Sequence, residues 1–346
     1  MADSSNTNKG IGGRVRSASI SLMNANPQVG MWQAAGTVIA QAPNLTELRV
    51  SELSEGLEFN AQGYTAHTAV RKADGELVPI RTVETLRSLE EEGREQSPGP
   101  PRRTNTLHEK YRDEPKEKWG PTIVNGLKAL GKFCRTPVGF CIMIYFLNIV
   151  AWGAMLFFLL LGVAPAMNYP NADDDNSPRK KWLEIDSQIL NALFCVTGFG
   201  LAFWRFRDLY YFIRVVSCKD KDAMQRLATQ NKGWFRPPAW ARDDETLGSE
   251  PSTEKHAVTF TGNVAPPTAL WKLAFNIIMM VLNTIIQCVL SYYMWAYNRL
   301  ERPTWATGTF IGLGCGVAMF AGIMSWWEGR KVKKIEGPEV KIVDTV

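Results

Sequence analysis

Val138–Ala164 reads VGFCIMIYFLNIVAWGAMLFFLLLGVA and contains no Asp, Glu, Lys or Arg. An α-helix rises about 1.5 Å per residue, so about 20 residues cross the roughly 30 Å of a bilayer's hydrocarbon core. Three more charge-free runs follow, at Ser187–Trp204, Leu273–Tyr297 and Thr304–Trp327. Ser187–Trp204 is near the lower length limit, and a short, tilted or re-entrant helix is the alternative there. Four such runs exceed what one globular core needs, so the sequence predicts an all-α integral membrane protein with about four transmembrane helices.

The rest of the chain has a different composition. Residues 1–115 carry thirteen basic and fifteen acidic residues and are rich in Ser, Thr, Asn, Gly and Pro. Such a segment buries too little apolar surface to offset its ordering entropy, so we expect a long, mostly disordered tail. A hairpin turning at Asp74-Gly75 and a helix over 82–92 are the expected exceptions. The predicted remainder is a membrane domain (116–334) with spans at about 138–164, 187–204, 273–297 and 304–327, a loop (205–270) and a C-terminal tail (335–346).

The charge distribution predicts the topology. Lys and Arg concentrate in cytoplasmic loops because they resist translocation. Residues 116–137, the loop 205–270 and the residues after the last span hold twenty basic residues, against five in the other two loops. We therefore expect a multi-pass protein with both termini in the cytoplasm, in the plasma membrane or an endomembrane.

Small residues line one face of the last apolar run. Gly308, Gly312 and Gly316 are spaced four apart, so they share one side of a helix. Lipid supplies no hydrophobic drive between helices, and small residues allow two backbones to approach. We expect a tight helix contact on this face, either within the chain or between two copies in a homo-oligomer. The alternative is that these glycines reflect only the general frequency of Gly in membrane helices.

The third apolar run carries a polar stripe. Asn276, Asn283 and Gln287 lie on one helix face, and amides in hydrocarbon need hydrogen-bond partners. The stripe predicts either a polar seam between helices or the wall of a water-filled pathway. Asn148 and Asn191 are the expected partners from the first two spans.

An aromatic and charged motif, WRFRDLYY, follows the second run directly. Its side chains suit the layer where a helix meets phosphate headgroups, because amphipathic rings and Arg are favoured there. We predict an interfacial role for Trp204, Arg205, Arg207, Asp208, Tyr210 and Tyr211.

The region from Trp119 to Lys334, and Gly198–Tyr211 above all, resembles a family of filamentous-fungal multi-pass membrane proteins of unknown function. Many members carry the automatic name "alpha-L-rhamnosidase C", so the resemblance implies a glycoside hydrolase. Glycoside hydrolysis needs two carboxyl groups about 5–10 Å apart at a sugar-binding cleft. The two short loops offer few acidic residues, mainly Asp173-Asp-Asp, Glu184 and Asp186. We therefore predict no enzymatic activity.

Other chemistry has little support in the sequence. The six cysteines are scattered and form no zinc-spaced cluster, and Gly-rich phosphate loops, GxSxG and HExxH are absent from the sequence. We expect no catalytic residue, no metal, no cofactor and no nucleic-acid partner. Hydroxyls next to basic residues or Pro are candidate phosphorylation sites, at Ser17, Ser19, Ser97 and Thr104.

These features together predict a membrane adaptor or stress-linked regulator. Its tail and basic loop would dock cytoplasmic proteins or anionic membrane lipid. A small-solute channel or transporter that uses the polar stripe is the alternative from a different class.

Overall fold

The computed structural model of the chain describes residues 27, 30–44, 47–48, 57–60, 62–71, 77–79, 119–171, 174–241, 259–261 and 263–343. The helices and strands follow in the order α1 (Met31–Ala40), β1 (Leu57–Phe59), β2 (Thr65–Arg71), β3 (Leu77–Pro79), α2 (Trp119–Cys134), α3 (Pro137–Leu161), α4 (Pro178–Gly198), α5 (Ala202–Cys218), α6 (Lys221–Gln230), α7 (Leu270–Ala296), α8 (Thr304–Glu336) and β4 (Glu339–Val343). Short 3₁₀ turns lie at Pro165–Asn168 and Ala239–Ala241. Four helical segments are long and apolar enough to cross a membrane: α3, α4 with α5, α7 and α8. The number of candidate spans is confirmed, and the structure is mostly helical, but its four strands correct the predicted all-α class.

Local sequence signals set the ends of the first two spans. Thr136 accepts a hydrogen bond from the Gly139 amide at the start of α3, and Gly162 ends α3 in the left-handed conformation at φ 65°. Ser177 caps α4, and Pro178 occupies its first position. The helix thus begins nine residues before Ser187 and continues, after a turn at 199–201, into α5. This corrects the bounds predicted for the second span, which is long rather than marginal.

The four spans are packed to different degrees. In the most apolar window of α7, 50% of the residues are buried, against 6% in α3. α7 contacts α8, α4 and α5, whereas α3 packs mainly on α4. α7 is therefore the central helix, and α3 presents most of its apolar surface outwards.

The two ends of the bundle differ. α2, α5, α6, residues 231–241 and the end of α8 lie at one end, which we call the basic end. The connections 162–177 and 297–303 lie at the other, which we call the short-loop end. At the basic end Trp234, Phe235 and Leu227 bury Leu273 and Ile277 of α7. Residues 205–241 are therefore packed against the bundle, and the loop predicted over 205–270 is largely helical in its first part.

Part of the tail predicted over 1–115 is folded beyond the expected hairpin, and residues 339–343 of the predicted C-terminal tail form β4. β2 pairs antiparallel with β1 through residues 65–67 and with β3 through 69–71, and it pairs in parallel with β4 through 66–70. The β2–β3 pairing confirms the predicted hairpin, although its turn at Asp74-Gly75 and the helix expected over 82–92 lie outside the described residues. Local composition could not predict this sheet, because β4 is separated from β2 by all four candidate spans.

The helix α1 lies along the basic half of α8. A Cβ on Gly322 would stand 2.7 Å from the Trp32 carbonyl oxygen, and one on Gly36 would overlap the Gly322 carbonyl group. Lys333 Nζ then donates to the Ala42 carbonyl oxygen at 2.6 Å and pairs with Glu47 Oε1 at 3.2 Å. The tail is thus fastened to α8 by close backbone approach and by a buried ion pair.

Candidate functional site

The side chain of Arg205 is buried inside the bundle. It is 2% exposed, and its Nη1 donates to Asn283 Oδ1 at 2.9 Å, to Thr284 Oγ1 at 2.8 Å and to the Met280 carbonyl oxygen at 3.2 Å. These acceptors belong to the middle of α7. The sequence placed Arg205 among headgroups, and this prediction is wrong. The turn after α4 rotates α5 so that this side chain faces α7.

The depth of Arg205 follows from helix geometry. Tyr145 of α3 lines the same cavity as Arg205, and it lies about 12 Å along the helix from Pro137. Asn283 lies about 20 Å from the end of α7 at Ala296. The guanidinium group is therefore roughly a third of the way into the apolar zone from the basic end. Ionisable side chains at such depth are costly and usually serve a function.

The neighbouring motif residues fasten α5 to α6. Asp208 is 3% exposed, pairs with Arg207 Nη2 at 3.1 Å and accepts from Gln230 Nε2 at 2.7 Å. Arg226 Nη1 donates to the Tyr211 hydroxyl at 2.9 Å. Asp208 is thus buried in a polar network, which corrects its predicted place at the membrane surface.

Two further aromatic residues of the motif, Trp204 and Tyr210, have different environments. Tyr210 is 56% exposed, and a headgroup-level position remains the prediction for it. Trp204 packs against the cluster of Met280, Ala318 and Ala321, so it contributes to the contact between α5, α7 and α8.

The polar stripe of α7 connects three helices. Asn276 Nδ2 donates to Ser325 Oγ at 2.7 Å and to the Ala321 carbonyl oxygen at 3.2 Å. Asn283 Nδ2 donates to the Gly314 carbonyl oxygen at 2.9 Å.

Gln287 connects the polar stripe of α7 to α4. Its Nε2 donates to Asn191 Oδ1 at 3.0 Å. The partner expected from the second span is therefore found, whereas Asn148 Nδ2 donates to the Ile144 carbonyl oxygen of its own helix. The stripe lies between helices and is engaged in hydrogen bonds there.

A cavity of about 40 Å³ lies beside Arg205. Its polar lining includes Arg205, Asn283 and Gln287, together with Tyr145 and Thr197. A water molecule needs about 10–15 Å³ measured in this way, so the cavity has room for a few waters. The first turn of α1 (30–32) contributes part of the wall, so the tail helix borders the buried arginine.

Residues 132–215 match a family described as "Protein of unknown function (DUF2985)". The matched region runs from the end of α2 to α5 and includes Arg205, Arg207 and Asp208. No curated protein and no solved structure matches the chain. The resemblance to the fungal "alpha-L-rhamnosidase C" proteins stays a prediction.

The glycine stripe lies outside the DUF2985 match and makes no contact within the described part of the chain. A Cβ added at Gly308, Gly312 or Gly316 would meet no atom within 4 Å. The predicted helix contact on this face is therefore not found among the described residues of one chain. Contact between two copies stays a prediction. The close approach occurs one to two turns further on, between Gly322 and Gly36, and the GxxxG spacing alone did not indicate it.

The remaining predicted sites add little to the geometry. The candidate phosphorylation sites Ser17, Ser19, Ser97 and Thr104 lie outside the described residues and outside the DUF2985 match. All six cysteines are free thiols. Among the described residues, His, Cys, Asp and Glu form no group of three or more that could hold a metal ion.

Proposed function

We propose that the protein is a non-enzymatic membrane adaptor or stress-linked regulator, whose tail and basic end dock cytoplasmic proteins or anionic lipid. The observation that carries this proposal is the attachment of the described parts of both tails to the bundle. β4 extends the sheet formed by β1–β3, and Gln41 Nε2 donates to the Gly233 carbonyl oxygen at 2.6 Å. A partner that binds the tail would therefore be connected mechanically to α8 and to the segment after α6.

The lipid part of the proposal is supported by cation–aromatic pairs at the basic end. The guanidinium carbon of Arg330 lies 5.6 Å from the centre of the Trp326 ring, and Lys331 Nζ lies 5.5 Å from that of Trp327. Tryptophan favours the headgroup layer, and Lys or Arg near an anionic surface gains about 1 kcal/mol each. These pairs suit a leaflet that contains anionic phospholipid.

Reconstitution of the full chain tests the lipid part. In nanodiscs of phosphatidylcholine with and without phosphatidylserine, we expect phosphatidylserine to protect the tail from trypsin, and added salt to reduce that protection. Replacing Arg330 and Lys331 by Gln should remove the difference between the two lipids. Equal protection in both lipids would contradict lipid docking.

Affinity purification tests the protein part. A tagged chain should retain cytoplasmic proteins whose recovery differs from that with Gly36→Leu, which we expect to undock the tail. Phosphopeptide mapping of the same material tests the candidate sites, because each phosphate adds about −1.5 to −2 charges to a tail that lies near basic residues. Identical recovery with both chains would contradict a role for the docked tail.

A small-solute channel or transporter is the second candidate. The cavity beside Arg205 supports it, since polar side chains of three spans meet there. We rank it second because the stripe residues are hydrogen-bonded to neighbouring helices and the cavity is small. A flux assay on proteoliposomes with the purified protein separates the two candidates.

Two carboxylates near the short-loop end are held in ion pairs, which supports the proposal that the protein is not a glycosidase. Glu184 pairs with Arg302 at 2.9 Å, and Asp175 pairs with Lys180 at 3.0 Å. The hydrogen bond from Lys180 lowers the pKa of Asp175, whereas a general acid needs a raised pKa. We expect no hydrolysis of a chromogenic α-L-rhamnoside by the purified chain.

A further inference from the structure

A second cavity, of about 520 Å³, opens between α3 and the first turns of α4 at the short-loop end. Its volume lies within the range of about 300–1,000 Å³ that is typical of ligand sites. The small side chains of Ala151 and Ala154 leave room for the cavity, and Met155 and Phe158 lie beside it. The lining is apolar apart from its mouth, so an aqueous substrate would find few hydrogen-bond partners in it.

The length of this cavity corresponds to one leaflet of a bilayer. Ala151 and Gly162 both line it, and they are about 16 Å apart along the helix axis. Half of a hydrocarbon core of about 30 Å is about 15 Å. The cavity therefore extends from the end of α3 to about the middle of the membrane, which is the depth that one acyl chain occupies.

The mouth of the cavity carries a positive charge and an indole ring. Arg179 and Trp182, one turn apart on α4, both line it. Arg179 is half-buried, and its Nη1 would lie 3.3 Å from a Cβ at Gly162, so the guanidinium group stands over the end of α3. Trp is favoured at headgroup level, and Arg is well suited to phosphate.

We propose that this cavity binds one acyl chain of a phospholipid with an anionic headgroup, and that Arg179 contacts the headgroup. The apolar lining favours an acyl chain, and the depth of the cavity matches the length of one acyl chain in one leaflet. The charge at the mouth favours an anionic headgroup. The site lies at the opposite end from the tail and does not depend on the adaptor function.

Photo-crosslinking in nanodiscs tests this site. The probes are phosphatidylserine and phosphatidylcholine that carry a diazirine on one acyl chain, and the label is mapped by peptide mass spectrometry. We expect the label to concentrate on 151–163, with phosphatidylserine labelling this segment more than phosphatidylcholine. Uniform labelling around α3, or equal labelling by the two lipids, would overturn the proposal.

Two pairs of variants separate the chain pocket from the headgroup contact. Ala154→Phe fills the cavity and should abolish the label on 151–163, whereas Leu147→Phe, on an exposed part of α3 outside the cavity, should keep it. Arg179→Gln should reduce the preference for phosphatidylserine about fivefold, because a basic group near an anionic surface contributes about 1 kcal/mol. Lys181→Gln makes the same charge change at an exposed position outside the lining and should leave the preference unchanged.

If Ala154→Phe does not fold, the comparison between Arg179→Gln and Lys181→Gln still decides the headgroup contact. An equal loss of preference in both variants would mean that general surface charge attracts the lipid, and it would overturn the site.

Discussion

The close contact between Gly36 and Gly322 predicts that adding a methyl group at Gly36 weakens tail docking. Helix propensity alone would predict the opposite sign. A Cβ on Gly36 would lie 3.0 Å from the Gly322 carbonyl carbon and would overlap its oxygen. Carbon atoms normally approach to about 3.5–4.0 Å, so the two backbones would have to separate by at least about 0.5–1 Å, and by more to clear the oxygen. Overpacking of this kind costs about 1–3 kcal/mol, whereas Gly to Ala in a helix otherwise gains up to about 1 kcal/mol. We expect Gly36→Ala to weaken tail docking by about 1–2 kcal/mol, or about 5- to 30-fold in the equilibrium.

The assay is protease protection of the tail in the purified full chain, together with thermal melting in detergent. Gly312→Ala is the matched control, because no atom lies within 4 Å of its added methyl group and only the propensity gain remains. Gly36→Ala should speed cleavage of the tail and lower the melting temperature, and Gly312→Ala should do neither. If both variants behave like the wild type, the helices α1 and α8 do not approach as closely as described, and the reasoning fails.

Three further predictions concern charge. Arg205→Ala should lower the free energy of unfolding by about 2–5 kcal/mol, because buried acceptors lose their donor at about 1–3 kcal/mol each. Arg214→Ala, from a half-exposed pair, should lower it by under about 1 kcal/mol. Denaturation in detergent measures both variants. Burial, and secondarily the charge of Lys333, lowers the pKa of His67 to about 4. The unfolded tail then binds a proton below pH 6.5 and the docked tail does not. The free energy of tail docking, measured by hydrogen exchange, should therefore fall by a few kcal/mol between pH 6.5 and 4. It should fall less in His67→Phe. A single Cys at Asn176 should react with impermeant maleimide in intact cells, and reaction of a Cys in the tail instead would reverse the predicted topology.

The spans could be predicted because hydrocarbon imposes one local requirement, a run of about 20 residues without charge. The same rule placed the end of the second span at Trp204, since Arg205 is the first charge after it. A better signal was available in α5 itself. Phe203, Phe206, Tyr210 and Ile213 recur every three or four residues and all are exposed. An apolar outer face of this kind indicates that the helix continues along lipid while Arg205 turns inward.

Apart from the β2–β3 hairpin, the folded part of the tail could not be predicted by any local rule. α1 is ten residues long, and isolated helices of that length are marginal in water. It is stabilised by the surface of α8, which follows almost three hundred residues later in the chain. The same holds for β2 and β4. By contrast, hydrogen-bonded contacts of the polar stripe with other helices could be predicted, because an amide in hydrocarbon must find a partner whatever the topology.

The position of α1 also connects the tail to the cavity beside Arg205. Met31 and Trp32 line that cavity, and so does Cys315 of α8. Cys315 is partly exposed, so only the part of its reaction rate that depends on the departure of α1 tracks the undocked population. With the other five cysteines replaced by Ser, we expect Cys315 in nanodiscs to react with N-ethylmaleimide faster in Gly36→Ala than in the parent, by no more than the factor of about 5 to 30 by which docking is weakened. Gly312→Ala should leave the rate unchanged. Equal rates in all three chains would mean that the tail helix does not control access to the buried arginine.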